Sequence, residues 1–526
     1  MPPFSFQPGR TPQPRRQGKR LSVESLEDRT VLSSASSLSV SVGPFIPTIA
    51  TSPVTVAQVP TDPRFTDQWA LQNTGQGGGT VGADVNATRA WDVVKGSART
   101  TVAIMDTGVD YTHPDLYLNI WINQGEIPAS RKARLIDING DGFITFRDLN
   151  DSRNQGVGKI TDLNGNGYID GGDLIRPMGR DAFGRDNGQG GWDDNTDADA
   201  NSYRDDLIGW NFVNNTNNPL DDYGHGTHVA GIIGAIRDNN LGGAGVADGC
   251  QMMVLKFLDG SGNGSITNYI AALNYSVKEG AKVTNNSWTG ANYDDDLIAA
   301  INSARAAGQI FVGAAGNGTT DNDVQPVYPA SFKIDNVISV AATDRYDRLA
   351  GYSAYGDKSV HLAAPGSDIY STLPGGKFGM NSGTSMATPF VTAAAALVWT
   401  QHPTWTYKQV ITQILSTVDK VTGLAGKTIT GGRLDIGNAV GAVQAQSTPP
   451  RITAAAWSGS AVGNLTKVRV TFDRAITVST FTSADVVLTS PAGTKITLSG
   501  VQVVPAAATR CSTSPSRPRR PRAATR

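Results

Sequence analysis

The stretch Thr101-Val102-Ala103-Ile104-Met105 runs as a short apolar segment directly into the polar residues Asp106-Thr107-Gly108. An apolar run of this length that stops at a turn is typical of a strand buried on both faces of a parallel sheet. Further strands are predicted at Met253–Phe257, Ile310–Ala314 and Val337–Ala341, which are also mainly apolar, and at the more polar Val283–Ser287. Helix-spaced apolar residues lie between them, at Ile266–Lys278 and Asp295–Ala307. The alternation predicts an α/β fold, a doubly wound and mostly parallel sheet with helices on both faces.

Composition excludes several classes of protein. The 526 residues carry 45 Lys and Arg against 46 Asp and Glu, a balance that argues against binding nucleic acid through phosphate contacts. No stretch approaches the roughly 20 apolar residues of a membrane-spanning helix. The two cysteines, Cys250 and Cys511, lie in different segments, so a disulfide framework is not expected. We expect a monomer.

The ends of the chain differ from its middle. Residues 1–60 begin basic and Pro-rich, and Leu26-Glu27-Asp28-Arg29 resembles a leader of some exported bacterial proteins. The segment is therefore either an export leader, which predicts a secreted or cell-surface protein, or a disordered tail. Residues 61–446 form the predicted main domain, with an insertion at 134–176, and 447–450 read as a linker.

Residues 451–509 predict a partial β-sandwich-like module from three short β-rich runs, which are Val468–Phe472, Val486–Thr489 and Ile496–Leu498. Residues 510–526 abandon that pattern and predict either a disordered basic tail or a truncated or shifted reading frame.

Three groups with complementary chemistry stand where loops meet these elements. Asp106 ends a strand, His225 precedes an apolar helical run that starts at Val229, and Ser385 precedes an Ala-rich helix. A serine hydroxyl becomes a nucleophile when an imidazole takes its proton and a carboxylate orients that imidazole. Taken singly, His225 reads as a structural histidine and Ser385 as a helix N-cap. The three segments together favour catalysis.

Asn317 follows the strand that begins at Ile310. A side-chain amide at the carboxyl end of a strand can donate a hydrogen bond to an oxyanion, beside the backbone N–H of Ser385. Asn before Gly is also an ordinary turn signal.

These segments, Asp106-Thr107-Gly108, His225–Gly231, Ala315-Gly316-Asn317 and Gly383–Pro389, resemble the subtilisin-like serine proteases over residues 62–445. The resemblance implies Ser385 as nucleophile, His225 as base, Asp106 as its orienting carboxylate and Asn317 as oxyanion donor. Polypeptides would be the substrates. The implied substrate-binding residues are Ser287, Trp288, Thr289, Gly290, Ala314, Ala315 and Gly316.

The insertion contains two copies of a calcium-loop pattern, with oxygen ligands at positions 1, 3 and 5, Gly at 6, a carbonyl at 7 and an acid at 12. The predicted ligands of the first copy are Asp137, Asn139, Asp141, Phe143 and Asp148. Those of the second copy are Asp162, Asn164, Asn166, Tyr168 and Asp173. Both copies end in Asp, as dockerin-type loops do, and the alternative is a solvated polar loop.

Ile144 and Ile169, at position 8 of each copy, are expected to pair the two loops. The later run 193–206 is rich in Asp and Asn and is either a further cation site or solvated loop. The resemblance implies one more calcium site, formed by Asp62, Asp115 and Asn239. Calcium is the predicted cofactor.

Two other functions compete with a protease. A catalytically inert calcium-binding surface or adhesion protein could use the same fold, and the intact Asp106, His225, Asn317 and Ser385 argue against it. An esterase could use the same nucleophile, but Gly383-Thr384-Ser385-Met386-Ala387 lacks the Gly-x-Ser-x-Gly elbow.

Overall fold

The computed structural model describes residues 59–290 and 292–442 with their side chains. Beyond them it describes only the backbones of five strands, which are Ser39–Val40, Ile452–Ser460, Asn464–Phe472, Leu488–Thr489 and Lys495–Ile496. The rest of the predicted leader, linker, C-terminal module and basic tail lies outside the described residues. The proposed domain boundaries therefore stay predictions.

The described strands are β1 (Ser39–Val40), β2 (Thr101–Asp106), β3 (Met178–Arg180), β4 (Asp186–Gly190), β5 (Gly209–Asn211), β6 (Gln251–Lys256), β7 (Val283–Asn286), β8 (Ile310–Ala314), β9 (Val337–Thr343), β10 (Leu362–Pro365), β11 (Ile369–Leu373), β12 (Lys377–Asn381), β13 (Asp419–Lys420), β14 (Gly432–Arg433), β15 (Ile452–Ser460), β16 (Asn464–Phe472), β17 (Leu488–Thr489) and β18 (Lys495–Ile496).

The described α-helices are α1 (Ala87–Trp91), α2 (Ala129–Lys132), α3 (Phe146–Leu149), α4 (Gly171–Leu174), α5 (His225–Gly234), α6 (Ile266–Lys278), α7 (Asp295–Ala306), α8 (Thr384–Gln401), α9 (Tyr407–Ser416) and α10 (Ile436–Ala439). Short 3₁₀ turns lie at Phe65–Asp67, Gln76–Gly78, Tyr117–Asn119, Ser152–Asn154 and Thr422–Leu424. Among the helices of the described residues, none combines the length and the apolar character needed to cross a membrane.

A nine-stranded sheet forms the frame, in the order β13-β14-β10-β9-β8-β7-β2-β6-β5. Every neighbouring pair in it is parallel except β13 with β14. The predicted α/β fold with a mostly parallel sheet is confirmed. The bounds of β8 and α6 match the prediction, while β9 continues two residues beyond it because Ala342 and Thr343 are also buried.

Two hydrophobic cores lie on opposite faces of this sheet. Along β2, Val102 and Ile104 belong to the core under α5 and α8, whereas Ala103 and Met105 belong to the core under α6 and α7. All four are buried because successive side chains of a strand point to opposite faces, and both faces carry helices. Each fully buried large side chain contributes about 1.5–3 kcal/mol.

The β-rich C-terminal strands form a separate unit with β1. β15 and β16 make an antiparallel hairpin, and β17 pairs antiparallel with both β1 and β18. The predicted runs at 468–472, 486–489 and 496–498 fall on or overlap β16, β17 and β18.

A buried guanidinium fastens the insertion between β2 and α5. Arg131 is fully buried and forms two hydrogen bonds of 2.8 Å to the carboxylate of Asp186 on β4. Its remaining N–H groups donate to the carbonyls of Lys159, Gly188 and Gln189. One side chain therefore joins α2, the β3–β4 hairpin and the segment between them.

The sheet places the chemistry at one edge. Because parallel strands end together, Asp106 at the end of β2 and Ala314 at the end of β8 lie on the same edge. The helices α5 and α8, which begin with His225 and with Thr384-Ser385, start at that edge too.

Candidate active site and metal loops

Asp106 and His225 meet although 119 positions separate them in sequence. His225 Nδ1 donates to Asp106 Oδ1 at 2.7 Å, and the same oxygen accepts the backbone N–H of Thr107 at 2.8 Å. The carboxylate is completely buried, and within the described residues its Oδ2 has no hydrogen-bond partner. Since a carboxylate can only accept, this bond leaves Nε2 of the neutral ring as the basic nitrogen.

The charge around the ring favours its protonated form. Burial of the ring lowers its pKa, but the charge of Asp106, the hydrogen bond to that carboxylate and the charge of Asp221 outweigh the burial. The pKa of His225 is therefore raised above its ordinary value. The sequence predicted that the helix starts near Val229, whereas α5 begins at His225 itself.

Ser385 is the second residue of α8 and is partly exposed. Its hydroxyl donates to the carbonyl oxygen of Ser287 at 2.9 Å, so in this structure it is not hydrogen-bonded to His225. A rotation about the Cα–Cβ bond of Ser385 redirects such a hydroxyl, and apo geometry often lacks the hydrogen bonds of the reacting complex.

Pro389 explains a second hydrogen bond between Ser287 and Ser385. The sequence placed it in the first helical turn, but it is the sixth residue of α8, where its missing N–H leaves the Ser385 carbonyl without its helical donor. Ser287 Oγ donates to that carbonyl at 2.7 Å instead. The segment after β7 and the start of α8 are thus joined by two reciprocal hydrogen bonds.

Asn317 lies beside the first residues of α8. Its Oδ1 accepts the backbone N–H of Thr384 at 2.9 Å and the Thr384 hydroxyl at 3.0 Å, which fixes the amide plane. A methyl group placed on Gly383 would lie 3.5 Å from Asn317 Nδ2 and 3.6 Å from the Ser385 amide nitrogen. The absence of a side chain at Gly383 thus leaves a small space that both nitrogens border.

The residues implied for substrate binding follow β7 and end or follow β8, and Ser287 and Gly316 contact the first residues of α8. Ser287 to Gly290 continue from the end of β7, with Ser287 buried and Thr289 and Gly290 exposed. Trp288 packs against Phe257 and Tyr269, with ring centroids 5.3 and 4.5 Å away. Ala314 ends β8, and Ala315 and Gly316 follow it in buried positions.

The two predicted calcium loops have the same backbone form. The first carboxylate of each accepts two N–H groups four and five residues ahead, at 3.3 and 2.7 Å for Asp137 and at 3.3 and 2.8 Å for Asp162. The acid at position 12 is buried in both, as Asp148 and Asp173, and is the third residue of a short helix, where it forms a capping box with the N-cap residue, Thr145 or Asp170. The remaining predicted ligands lie on the turns between them, at Asn139, Asp141, Phe143, Asn164, Asn166 and Tyr168.

The expected pairing of the two loops is wrong. Gln124 donates to the carbonyl of Ile144 and accepts its N–H, both at 2.9 Å. Asn150 does the same for Ile169, at 2.8 and 2.9 Å. Each loop is completed by one side-chain carboxamide, which replaces the strand that a paired loop would supply.

A third loop of the same form lies at 197–203, inside the Asp- and Asn-rich run. Asp197 accepts the N–H groups of Asn201 and Ser202, four and five residues ahead, at 2.9 and 2.8 Å. Ala200 and Ser202 hold φ of 58° and 81°, where the first two loops have glycines of positive φ. A carboxylate oxygen from each of Glu126, Asp197 and Asp199 lies within 4.8 Å of the other two. The sequence pattern missed this loop because neither left-handed position is glycine.

The acids implied for the last metal site also come together. Asn239 Nδ2 donates to Asp115 Oδ1 at 2.7 Å, and the Asn239 N–H donates to Asp62 at 3.1 Å. Asp115 is fully buried, and its Oδ2 has no hydrogen-bond partner within the described residues. Burial raises the pKa of Asp115 to about 9. An unpartnered buried carboxylate oxygen fits a hard cation, which prefers oxygen ligands.

Known proteins resemble much of this chain. The model of the Subtilase family matches residues 97–432, more than half of it. Subtilisin-like protease 2 of Plasmodium falciparum is 41% identical over 194 residues, which cover 36% of this chain and 14% of that protein. The thermophilic serine proteinase of Bacillus sp. (strain AK1) is 32% identical over 352 residues, covering 67% of this chain and 64% of that protein. Thermitase of Thermoactinomyces vulgaris is 40% identical over 215 residues, 41% of this chain and 74% of that protein. The chain thus spans less than two thirds of the first two relatives.

Proposed function

The chain belongs to the subtilase family, and from that premise we propose that it is a calcium-stabilised serine endopeptidase that cleaves polypeptides. The observation that carries the proposal is the 2.7 Å hydrogen bond between His225 Nδ1 and Asp106 Oδ1, which leaves Nε2 as a base at the edge where Ser385 lies.

Each residue of the site has one role in the proposed reaction. Ser385 Oγ leaves the Ser287 carbonyl, turns toward His225 and attacks the carbonyl carbon of a peptide bond while Nε2 takes its proton. The negative oxygen that forms occupies the space between Asn317 Nδ2 and the Ser385 N–H, which stabilise it as donors. His225 then gives its proton to the departing amine, leaving an ester on Ser385 that water hydrolyses with the same histidine as base.

The exposed backbone after β7 is the proposed docking edge for the substrate. Thr289 and Gly290 are exposed there, and an extended peptide can add to such a segment as a further strand. Ala314, Ala315 and Gly316 have small or no side chains, and would border the residue before the cleaved bond.

A serine-directed phosphonate tests the nucleophile without a known substrate. We expect one label, on Ser385, and loss of both label and peptide hydrolysis in Ser385→Ala. The matched control is Ser382→Ala, which removes a hydroxyl three residues away that accepts the Asp368 N–H. A folded wild-type protein that takes no label would favour the inert adhesion protein. Cleavage of simple esters with no cleavage of peptides would favour the esterase.

Calcium would occupy the loops that begin at Asp137 and Asp162, the third loop at Asp197 with Glu126, and the site at Asp115. At the third loop, carboxylate oxygens of Glu126, Asp197 and Asp199 lie within 4.8 Å of one another, and a cation would offset their charge. At Asp115 the unpartnered Oδ2 supports a cation, and the first two loops are supported by their sequence pattern and shared turn geometry. An ion that binds the folded chain alone stabilises it by about 2.7 kcal/mol per site at a hundred times its Kd.

Chelation tests this part of the proposal independently of catalysis. In the Ser385→Ala background, EDTA should lower the Tm and excess calcium should restore it. Asp137→Ala and Asp162→Ala should each reduce the rise in Tm that calcium produces. Asp151→Asn should not, because that carboxylate lies between the two loops and pairs with Arg153. A Tm that ignores both EDTA and calcium contradicts the proposal. Extracellular calcium would keep such loops filled, in keeping with a secreted or cell-surface protein.

A further inference from the structure

Asp221 is a buried carboxylate in the loop that leads into α5, and the reaction described above gives it no task. We propose that Asp221 is a positioning residue for the Asp106–His225 pair: it holds the turn that presents the imidazole, and it places a second negative charge beside the ring. The inference rests on the proposed endopeptidase function and adds to it a residue outside the three catalytic segments.

Five hydrogen bonds converge on this one carboxylate. Oδ1 accepts the Thr107 hydroxyl at 2.8 Å and the N–H groups of Tyr223 and Gly224 at 3.0 and 2.8 Å. Oδ2 accepts the N–H and the hydroxyl of Thr227 at 2.8 and 2.6 Å. Every donor lies either directly after Asp106 or within two residues of His225.

The network caps α5 from outside the helix. Gly224, the N-cap, has no side chain to offer, so the third N–H of the helix, that of Thr227, goes to Asp221. The second N–H, that of Gly226, goes to the hydroxyl of Thr107 at 2.9 Å, and that hydroxyl in turn donates to Asp221. The residues next to Asp106 and His225 are thus tied together through Asp221.

The same carboxylate changes the electrostatics of the ring. The first turn of a helix presents partial positive charge, which opposes an imidazolium at its first residue. A buried carboxylate at that point offsets this effect, and the charge of Asp221 acts on the His225 pKa in the same direction as that of Asp106. Lys256 on β6, whose ammonium contacts the Thr107 carbonyl, opposes them but is itself paired with Asp222.

Other groups face α5 without contacting His225. Apart from Asp106, Asp221 and Lys256, titratable side chains lie on or next to the elements packed against the helix and at the two ends of the helix itself: Asp110, Asp222, Tyr223, His228, Arg237, Cys250, Asp368 and Tyr370. Helix α8, packed against the same face, has no ionisable side chain along Thr384–Gln401.

The test measures the imidazole directly. Nuclear magnetic resonance of protein with ¹³C-labelled histidine, in the Ser385→Ala background, gives the His225 pKa without any need for catalysis. The signal is identified among the five histidines by its loss in His225→Ala. We expect Asp221→Asn to lower this pKa by roughly 0.5–1 unit. In the active protein the same change should lower kcat/KM about 10- to 100-fold and move its acid limb downward with the pKa.

Asp110→Asn is the matched control. It removes the same charge from another buried carboxylate near α5, one that binds Thr112 and the N–H of Gly375. We expect it to leave the His225 pKa within about 0.2 unit. Thr107→Val keeps the Asp221 charge but removes the hydroxyl bridge, and should lower kcat/KM about tenfold, whereas Thr107→Ser should retain it.

The outcomes separate the claims. An Asp221→Asn protein with an unchanged His225 pKa and unchanged kcat/KM overturns the inference. Should Asp221→Asn fail to fold, equal activity of Thr107→Val and Thr107→Ser overturns it. A wild-type protein with neither activity nor phosphonate label defeats the endopeptidase proposal, while the resonance titration still decides whether Asp221 acts on His225.

Discussion

Replacing Gly383 by alanine would close the proposed oxyanion space while leaving the fold intact. The added methyl would lie 3.5, 3.6 and 3.8 Å from its nearest heavy atoms, which are ordinary contact distances. Gly383 has φ of 161°, an extended conformation that alanine adopts without strain. The loss of backbone freedom in the unfolded chain favours the variant, so we expect its free energy of unfolding to stay within about 1 kcal/mol of wild type.

Activity should behave very differently. The methyl would stand where the reacting oxygen must sit between Asn317 Nδ2 and the Ser385 N–H, so both donors are lost at once. Removal of one such donor from subtilisin lowers its kcat by about 10²–10³-fold, and we take that loss as the scale for one donor. With two donors blocked, kcat/KM for a peptide anilide should fall by more than about 10³-fold, which is about 4 kcal/mol of transition-state stabilisation.

The assay pairs kcat/KM with the Tm from circular dichroism. Gly351→Ala is the control, because that glycine lies in an exposed turn with no heavy atom within 4 Å of the added methyl. If Gly383→Ala retains kcat/KM within tenfold of wild type, the oxyanion does not form in this space. If its Tm falls well below that of Gly351→Ala, the packing argument fails instead.

Two further predictions concern stability and are measured by urea unfolding in the Ser385→Ala background. Arg131→Met should destabilise the protein by about 3–5 kcal/mol, because it leaves Asp186 and three carbonyls without their buried donor, whereas Arg153→Met should change little because that side chain is 58% exposed. Equal effects of the two would refute the buried anchor. Burial lowers the pKa of His228 to about 4. Between pH 6.5 and 4 the unfolded chain therefore binds a proton that the folded chain does not, so the free energy of unfolding decreases as the pH is lowered. His228→Phe has no imidazole to protonate, so the difference between its free energy of unfolding and that of wild type should narrow by up to about 3 kcal/mol as the pH is lowered from 7 to 4. A difference that stays constant over this range would contradict the prediction.

The sheet could be predicted from sequence because a strand buried on both faces tolerates few polar residues along its length. The runs at Ile310 and Thr101 therefore mark their strands, and the ends of those strands mark the functional edge, whereas the buried strand at Val283 carries three polar residues. Helix α5 was placed too late because its first turn is capped by Thr107 and Asp221, the first of which lies more than a hundred positions away. No local pattern reveals a cap supplied from another segment.

The metal loops show the same limit. Glycine at the two left-handed positions made the loops at Asp137 and Asp162 visible in the sequence, because those positions strain other residues. The third loop accepts that strain at Ala200 and Ser202, about 1 kcal/mol each, and takes Glu126 from a distant segment. Its pattern of carboxylates and turns emerges once the chain is folded.

The carboxamides of Gln124 and Asn150 have a consequence for how cations would load the insertion. Paired calcium loops share a short sheet, and through it the occupation of one loop alters the other. Here side-chain carboxamides take the backbone groups of Ile144 and Ile169, so no backbone ladder links the loops at these two residues. Asn150, which completes the second loop, is the C-cap of the helix that ends the first loop and so forms a side-chain link between them. Coupling through this one side chain should be weaker than coupling through a shared sheet, so a calcium titration should show binding steps with little cooperativity.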